Sequence, residues 1–449
     1  MSKSSNLIQS FVDRKNNEYI VKGDGPFLYS KKKKYLDSTS GLTGTAILGW
    51  KNRIVEESIK RQLSKFGHID YKYFLDLNRE KLANLLLSKK ENKLDGIFFV
   101  GGSGGEACEA SMKLSFLVHQ ANGKKSKKYF ISRKQSYHGS GSDSLSLGDR
   151  PNLHIYKNFF PKFRSKINEH NIYRQKMHNE TVNEYTERSI NELEQKILQL
   201  GSKNVCAFVA ETMMGGLIGD VPPTKDYWKG IRKVCDKYNI HIICDEVWCG
   251  TGVTGKIYCI DWDNITPDFI FIGKTLGAGY APVSAIVTKK VFCDLIKKKF
   301  GAIQFSTTHQ GHSLGVAAAL GVQKIIHSKG FLSNVINLGD YLRSTFQKEL
   351  SSELFFKNVR GRGLRNSIEY GTGNSEQDHL FGIAITEYCK DRFNLLISAK
   401  WHRICLSPAI NIKLKDLNRI IEGVILGFRY VSSNWSPNFI KKIKNKVYY

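Results

Sequence analysis

No stretch of this 449-residue chain is both long and apolar enough to cross a bilayer. Its first residues, Met-Ser-Lys-Ser-Ser-Asn-Leu-Ile-Gln-Ser-Phe-Val-Asp-Arg, lack the apolar core and small-residue cleavage site of a secretory signal. A cytoplasmic protein with no membrane partner is therefore the expectation. Paired cysteines are missing too: the nine present are an odd number with no CxxC pair, scattered from Cys108 to Cys405 in mostly apolar surroundings. That disfavours a disulfide framework and a zinc centre, and no metal is expected. No internal repeat is visible. Acidic charge is scarce, with 41 Asp and Glu against 68 Lys and Arg and a net charge of +27. Such a balance suits a nucleic-acid or membrane-surface partner. The basic clusters at 31–34, 124–128, 297–299 and 441–446 are short and dispersed, however, without the interleaved aromatics of a nucleic-acid module. Solvated surface lysines are the plainer reading.

What the chain does have is an alternation of short apolar runs with helical patterns. The runs at 97–100, 129–131, 205–210, 240–244, 269–272 and 283–287 read as buried strands. Stretches at 106–120 and 225–238 between them carry helical spacing, the second with Trp228, Ile231, Val234 and Cys235 on one face. This predicts an α/β protein whose mostly parallel sheet is covered by helices on both faces, with ligands at the carboxyl ends of its strands. Further helices are expected near 52–66, 79–88, 189–200, 313–329 and 338–350, and short strands at 19–21 and 27–29. Residues 148–203 read as a polar excursion packed over the mouth of the site. The terminal third reads as a smaller α/β unit. The length exceeds one usual domain, and the expected division is an N-terminal segment, 1–60, joining the small domain; a large domain, 61–330; and a C-terminal small domain, 331–449.

Two of the strand candidates end on ionisable residues followed by glycines, Asp245 and Lys274. Burying either charge is costly, so their matching positions suggest a site. A lysine at a strand exit can form a Schiff base with an aldehyde, and a carboxylate facing the same spot can keep a pyridinium nitrogen protonated. That pair is what pyridoxal phosphate requires. Ser103-Gly104-Gly105, a glycine turn opening a helix, offers backbone N–H groups to a phosphate. Tyr137 can lie flat on a ring, Thr308 can add a hydroxyl to a phosphate site, and Arg403 can pair with a carboxylate. Gly102-x-Gly104-x-x-Ala107 also fits a loose dinucleotide fingerprint. Ser132-Arg133-Lys134 stands where that motif expects an acid, which disfavours NAD and leaves an NADP-dependent oxidoreductase as an alternative, beside a basic nucleic-acid-binding protein.

At this point the motifs resemble those of class III pyridoxal-phosphate aminotransferases: Asp245-Glu246-Val247 with Gly250-x-Gly252 and Thr254-Gly255, then 267–274 ending in Lys274, then Gly277-x-Gly279-Tyr280-x-Pro282. Ser103-Gly104-Gly105-Glu106-Ala107, Ser136-Tyr137-His138-Gly139 and Thr308-x-x-Gly311-His312 are similar to that family's phosphate turn, ring-stacking segment and inter-subunit segment. The resemblance implies a fold type I pyridoxal-phosphate transferase with a seven-stranded sheet. It implies Lys274 as cofactor lysine and proton shuttle, Asp245 on the ring nitrogen and Tyr137 over the ring. His138, Glu211 and Val247 would lie at the cofactor, and Gly104 and Gly105 on its phosphate with Ser103. Thr308 would reach the phosphate of a partner subunit, which implies a homodimer with shared sites, or a tetramer built from it. The implied reaction moves an amino group from an amine or ω-amino acid to a 2-oxo acid such as pyruvate, in two half-reactions through pyridoxamine phosphate. A class III aminomutase or decarboxylase would use the same apparatus. Departures from the family pattern are Thr212 after Glu211, Trp248, Val253 and Ser313, and Gly216 where some members mask the substrate arginine. Arg403 is thus expected to bind the acceptor's carboxylate, Trp248 to crowd the pocket, and Trp248 and Val253 to set substrate preference. Whether Cys249 is reactive is left open.

Overall fold

The computed structural model describes residues 18–88, 93–150, 155, 156 and 158–448, the last three as backbone only. The first 17 residues of the expected N-terminal segment therefore lie outside the described residues. Seven short strands build the central sheet: β1 Gly96–Phe99, β2 Tyr129–Arg133, β3 Arg164–Ile167, β4 Val205–Glu211, β5 His241–Asp245, β6 Phe269–Ile272 and β7 Ala285–Thr288. Their spatial order is β1-β7-β6-β5-β4-β2-β3. β7 runs antiparallel to β6 and β1, and the other pairings are parallel. β4 to β7 are buried at every position, as strands covered on both faces must be.

Six of these strands coincide with the apolar runs. The seventh corrects the reading of 148–203 as an excursion alone, because β3, Arg-Ser-Lys-Ile, lies inside it. This strand closes one edge of the sheet and only Ile167 is fully buried, so its sequence need not be apolar.

Helix α1, Gly104–Ala121, begins where β1 ends. Its start is fixed by a capping box: Ser103 Oγ accepts from Glu106 N at 3.1 Å, and Ser103 N donates to Glu106 Oε2 at 2.9 Å. Helix α2, Tyr227–Lys237, buries Trp228, Ile231, Val234 and Cys235, the face its spacing predicts. Helix α3, Ser313–Ile326, is almost wholly buried and packs closely on the helix Arg53–Leu63, where Ser58 Oγ donates to the Ala317 carbonyl at 2.6 Å.

The C-terminal part forms an antiparallel sheet of β8 Phe356–Arg362, β9 Arg365–Tyr370, β10 Ser398–Lys400 and β11 Arg403–Leu406. Alternation divides its faces. Ile368, Tyr370, Ile404 and Leu406 enter the apolar core, while Arg360, Arg362, Arg365, Ser367, Glu369 and Arg403 share the opposite face by register. The N-terminal strands Ile20–Asp24, Phe27–Ser30 and Lys34–Asp37 form a meander whose last strand pairs in parallel with Leu395–Leu396. The start of the described chain is thereby tied to its C-terminal part.

Candidate active site

The carboxyl ends of β2, β4, β5 and β6 bring Arg133, Glu211, Asp245 and Lys274 to one end of the sheet, with Glu211 beside Asp245 in register. Asp245 is buried. One carboxylate oxygen accepts from Val247 N at 3.0 Å, and the other lies 2.8 Å from His138 Nδ1. His138 is buried as well, and its second ring nitrogen, Nε2, has no partner. Glu211 accepts from the Tyr137 and Gly215 backbone N–H groups at 3.2 and 2.9 Å. Burial raises its carboxyl pKa and nearby Asp245 adds to that, against the lowering effect of His138. Glu246 serves the scaffold instead, accepting from Thr212 Oγ1, Cys259 N and Ile260 N at 3.0, 2.6 and 2.8 Å.

Lys274 follows β6 by two residues and holds a left-handed φ of +37°, a conformation that costs a non-glycine residue energy and often marks a functional position. Its Nζ makes no hydrogen bond or ion pair among the described residues and lies 5.0 Å from the centre of the Trp248 ring. Burial lowers the ammonium pKa to about 8, with Arg365 contributing, while Asp245 and Glu211 oppose the shift. An amine so placed reaches its neutral, nucleophilic form near physiological pH.

Backbone packing shapes the floor beside it. A Cβ on Gly104 would fall 2.7 Å from a methyl of Val247. A Cβ on Gly139, at φ +147°, would fall 2.5 Å from Gly105 Cα. Glycine at these positions lets the turn before α1, the Tyr137-His138-Gly139 segment and Val247 close on one another. Ser103 spends its hydroxyl capping α1, so what the turn offers an anion is the free N–H groups of the first helical turn. Tyr137 donates its backbone N–H to Glu211, its hydroxyl sits 3.0 Å from Ser140 Oγ, and the Arg150 guanidinium lies 3.9 Å from its ring centre.

Trp248 donates from Nε1 to Asp220 Oδ1 at 2.7 Å and fills the space that side chains at Gly44 and Gly215 would need. Val253 is elsewhere: it is buried in the main apolar core, with its carbonyl accepting from Leu364 N at 3.1 Å. Of the two positions expected to set substrate preference, only Trp248 stands beside Lys274. Cys249 is fully buried and burial pushes its thiol pKa well up, which makes it a structural cysteine rather than a reactive one. Arg403 is 1% exposed, with Nη2 donating to the Gly216 carbonyl at 3.0 Å and Nε and Nη1 enclosed without partners. Thr308 is exposed and stands apart from this cluster, its carbonyl 3.0 Å from His68 Nε2.

Three residues of the site escape sequence reasoning. Arg133 anchors the Glu211 carbonyl, Asp220 holds the Trp248 indole, and Arg365 stacks on that indole. Arg133 was visible only as the missing acid of a dinucleotide motif. Arg365 follows a glycine-rich turn that carries no chemical signature, and Asp220 lies in a short local hairpin while its partners Trp248 and Ser367 are remote in sequence.

A model of the aminotransferase class-III family matches residues 1–423. The chain is 34% identical over 351 residues to an uncharacterised aminotransferase of Schizosaccharomyces pombe, covering 78% of this chain and 76% of that protein. It is 32% identical to the gamma aminobutyrate transaminase 2 of Solanum lycopersicum, covering 90% and 89% of the two chains. Among solved structures, an omega transaminase from Pseudomonas jessenii in complex with PMP superposes with a TM-score of 0.87 at 26% identity, over 94% of this chain and 96% of the other.

Proposed function

This chain belongs to the class III aminotransferases and is a pyridoxal-phosphate-dependent transaminase of fold type I; from that premise we propose that it moves an amino group from an amine or ω-amino acid to pyruvate. The oxidoreductase and nucleic-acid-binding alternatives give way to amino-group transfer. The observation that carries the residue assignments is the half-buried amine of Lys274, without a hydrogen bond or ion pair among the described residues, beside the His138–Asp245 pair at neighbouring strand ends.

The residues present fit the cofactor. Lys274 Nζ has no hydrogen bond or ion pair among the described residues, the His138–Asp245 pair offers a held carboxylate, and the lack of a side chain at Gly104 lets the turn before α1 close on Val247. When bound, the cofactor supplies an electron sink that makes a proton on the substrate's amine-bearing carbon removable. In our reading Lys274 would hold the cofactor, and an amine lowered to about 8 is suited to moving that proton. Asp245 would keep the ring nitrogen protonated, and His138 and Val247 N hold that carboxylate in place. Glu211 fixes the backbone of Tyr137, so the ring that covers the cofactor is positioned through its own main chain. The first-turn N–H groups of Gly104 and Gly105, with Ser103 at the turn, hold the phosphate.

A small acceptor is supported by Trp248, which occupies the room left by Gly44 and Gly215. The sequence candidate for the acceptor's carboxylate is Arg403. The donor class is supported by the names of relatives, which include gamma aminobutyrate transaminase, the vanillin aminotransferase of Capsicum annuum and omega transaminase. A homodimer with Thr308 reaching the partner's phosphate is supported by the exposed apolar run Tyr73, Phe74 and Leu75, 80, 62 and 86% exposed, which follows closely in sequence on His68, the neighbour of the Thr308 carbonyl. Nine free thiols, seven of them buried, suit a reducing, cytoplasmic location. The division into 1–60, 61–330 and 331–449 is supported by the pairing of Lys34–Asp37 with Leu395–Leu396.

The test is a panel of amine donors with pyruvate and with 2-oxoglutarate, following alanine, glutamate and CO2. The proposal expects alanine without CO2. Glutamate alone would replace pyruvate as acceptor, and CO2 release would favour the decarboxylase.

A further inference from the structure

The polar face of the C-terminal sheet carries four buried or half-buried arginines, and they differ in what balances them. Arg360 pairs with Glu369, and Arg362 pairs with Asp263 at 2.7 Å. Arg403 is tied to the Gly216 carbonyl, and its remaining nitrogens are shut off from solvent. Arg365 has no ion pair among the described residues. Its Nε donates to the Trp248 carbonyl at 3.1 Å and its Nη2 to the Gly44 carbonyl at 2.7 Å, both neutral acceptors. The acid near it, Asp220, is already bonded to Trp248 Nε1 and to Ser367 Oγ, each at 2.7 Å.

Arg365 also lies close to the reacting amine. Its guanidinium carbon is 4.2 Å from the centre of the Trp248 ring, the ring that Lys274 Nζ approaches at 5.0 Å. The two carbonyl bonds fix the plane of the fork and leave Nη1 without a partner. That nitrogen stands against the Gly44 backbone, where a Cβ would fall 3.1 Å from it and 2.3 Å from the Trp248 ring. A buried guanidinium held rigidly by two neutral carbonyls, with no ion pair among the described residues, is the arrangement that an incoming carboxylate completes. Burial lowers the Arg365 pKa to about 10, consistent with a cation that lacks its anion.

Resting on the transaminase reading, we propose that Arg365, rather than Arg403, binds the carboxylate of the 2-oxo acid acceptor, and so sets the preference for acids over neutral carbonyl compounds. A 2-oxo acid carries its carboxylate on the carbon next to the reacting one, so its anchor must stand near Lys274. Arg365 meets that requirement through the shared indole. Arg403, with its free nitrogens enclosed behind the 215–219 turn, acts as a brace for that turn.

The test compares pyruvate with propanal as acceptors in the holoenzyme, for the wild type, Arg365→Met, Arg365→Lys and Arg403→Met. Propionate, which cannot turn over, is titrated calorimetrically against each. Arg365→Met is expected to weaken propionate and raise the KM for pyruvate by on the order of 10- to 100-fold, the worth of a hydrogen bond between charged groups, with the propanal value within a few fold. Arg365→Lys should restore part of the loss. If Arg365→Met keeps the wild-type preference for pyruvate, or if Arg403→Met is the variant that removes it, the proposal is overturned. A wild type that transaminates no acceptor would overturn the reading beneath it, while the propionate titration still reads Arg365 on its own.

Discussion

His138 Nδ1 stands 2.8 Å from Asp245 Oδ2, with both side chains buried behind the ends of β4 and β5. Without the imidazole, Asp245 keeps only its bond from Val247 N and becomes a buried carboxylate with one oxygen unsatisfied. Leaving a buried acceptor without its donor costs about 1–3 kcal/mol, more for a charged group. His138→Ala is expected to lower the melting temperature and to lose cofactor on dialysis, read as the fall in visible absorbance, whereas His138→Asn, which keeps a donor, is milder. Equal retention by wild type and His138→Ala would remove the imidazole from the site's support.

Lys274 makes a pH prediction with a definite sign. Its folded pKa is lowered from 10.5 to about 8, chiefly by burial. In cofactor-free protein the buried ammonium therefore opposes folding fully below pH 8, and the cost fades as pH rises from 8 to 10.5. The cost is about 3 kcal/mol. Cofactor-free Lys274→Met should melt higher than wild type at pH 7, and the gap should close by about pH 10.5. A gap independent of pH would mean that Lys274 is not the titrating group.

The glycine floor is tested at two positions. Gly104→Ala places a methyl 2.7 Å from Val247 and is expected to weaken cofactor binding by at least about tenfold, since the turn must open. Gly216→Ala meets nothing within 4 Å and should bind as wild type does. Reconstitution titrations followed by absorbance distinguish the two.

Much of this was legible before any coordinates. The strand ends announce themselves because Asp245 and Lys274 are charged residues capping wholly apolar runs, and a buried charge needs a reason. The glycine turn at Ser103-Gly104-Gly105 that opens α1 was equally local. β3 was not legible, because an edge strand leaves most of its side chains only half-buried and shows no apolar signal. Arg365 was illegible for a different reason. Its importance comes from meeting Trp248, 117 positions away, across two sheets. Val253 shows the opposite error: it stands near Trp248 in sequence yet packs into the core.

Trp248 narrows the pocket and ties Asp220 into it. Trp248→Ala is expected to raise the ratio of kcat/KM for a bulky over a small amine donor by about 10-fold or more, and to cost about 3–5 kcal/mol of stability through lost packing. Steady-state kinetics with two donors and a thermal melt check both. An unchanged ratio would place the donor away from the indole.

The central claim is that Lys274 carries the cofactor. Borohydride treatment of the holoenzyme, followed by proteolysis and mass mapping, fixes the reduced cofactor to whichever lysine bears it. The account predicts the mass increment on the peptide containing Lys274, and its absence when the protein is first treated with an amine donor. An increment on any other of the chain's lysines, or none on wild-type holoenzyme, would contradict it.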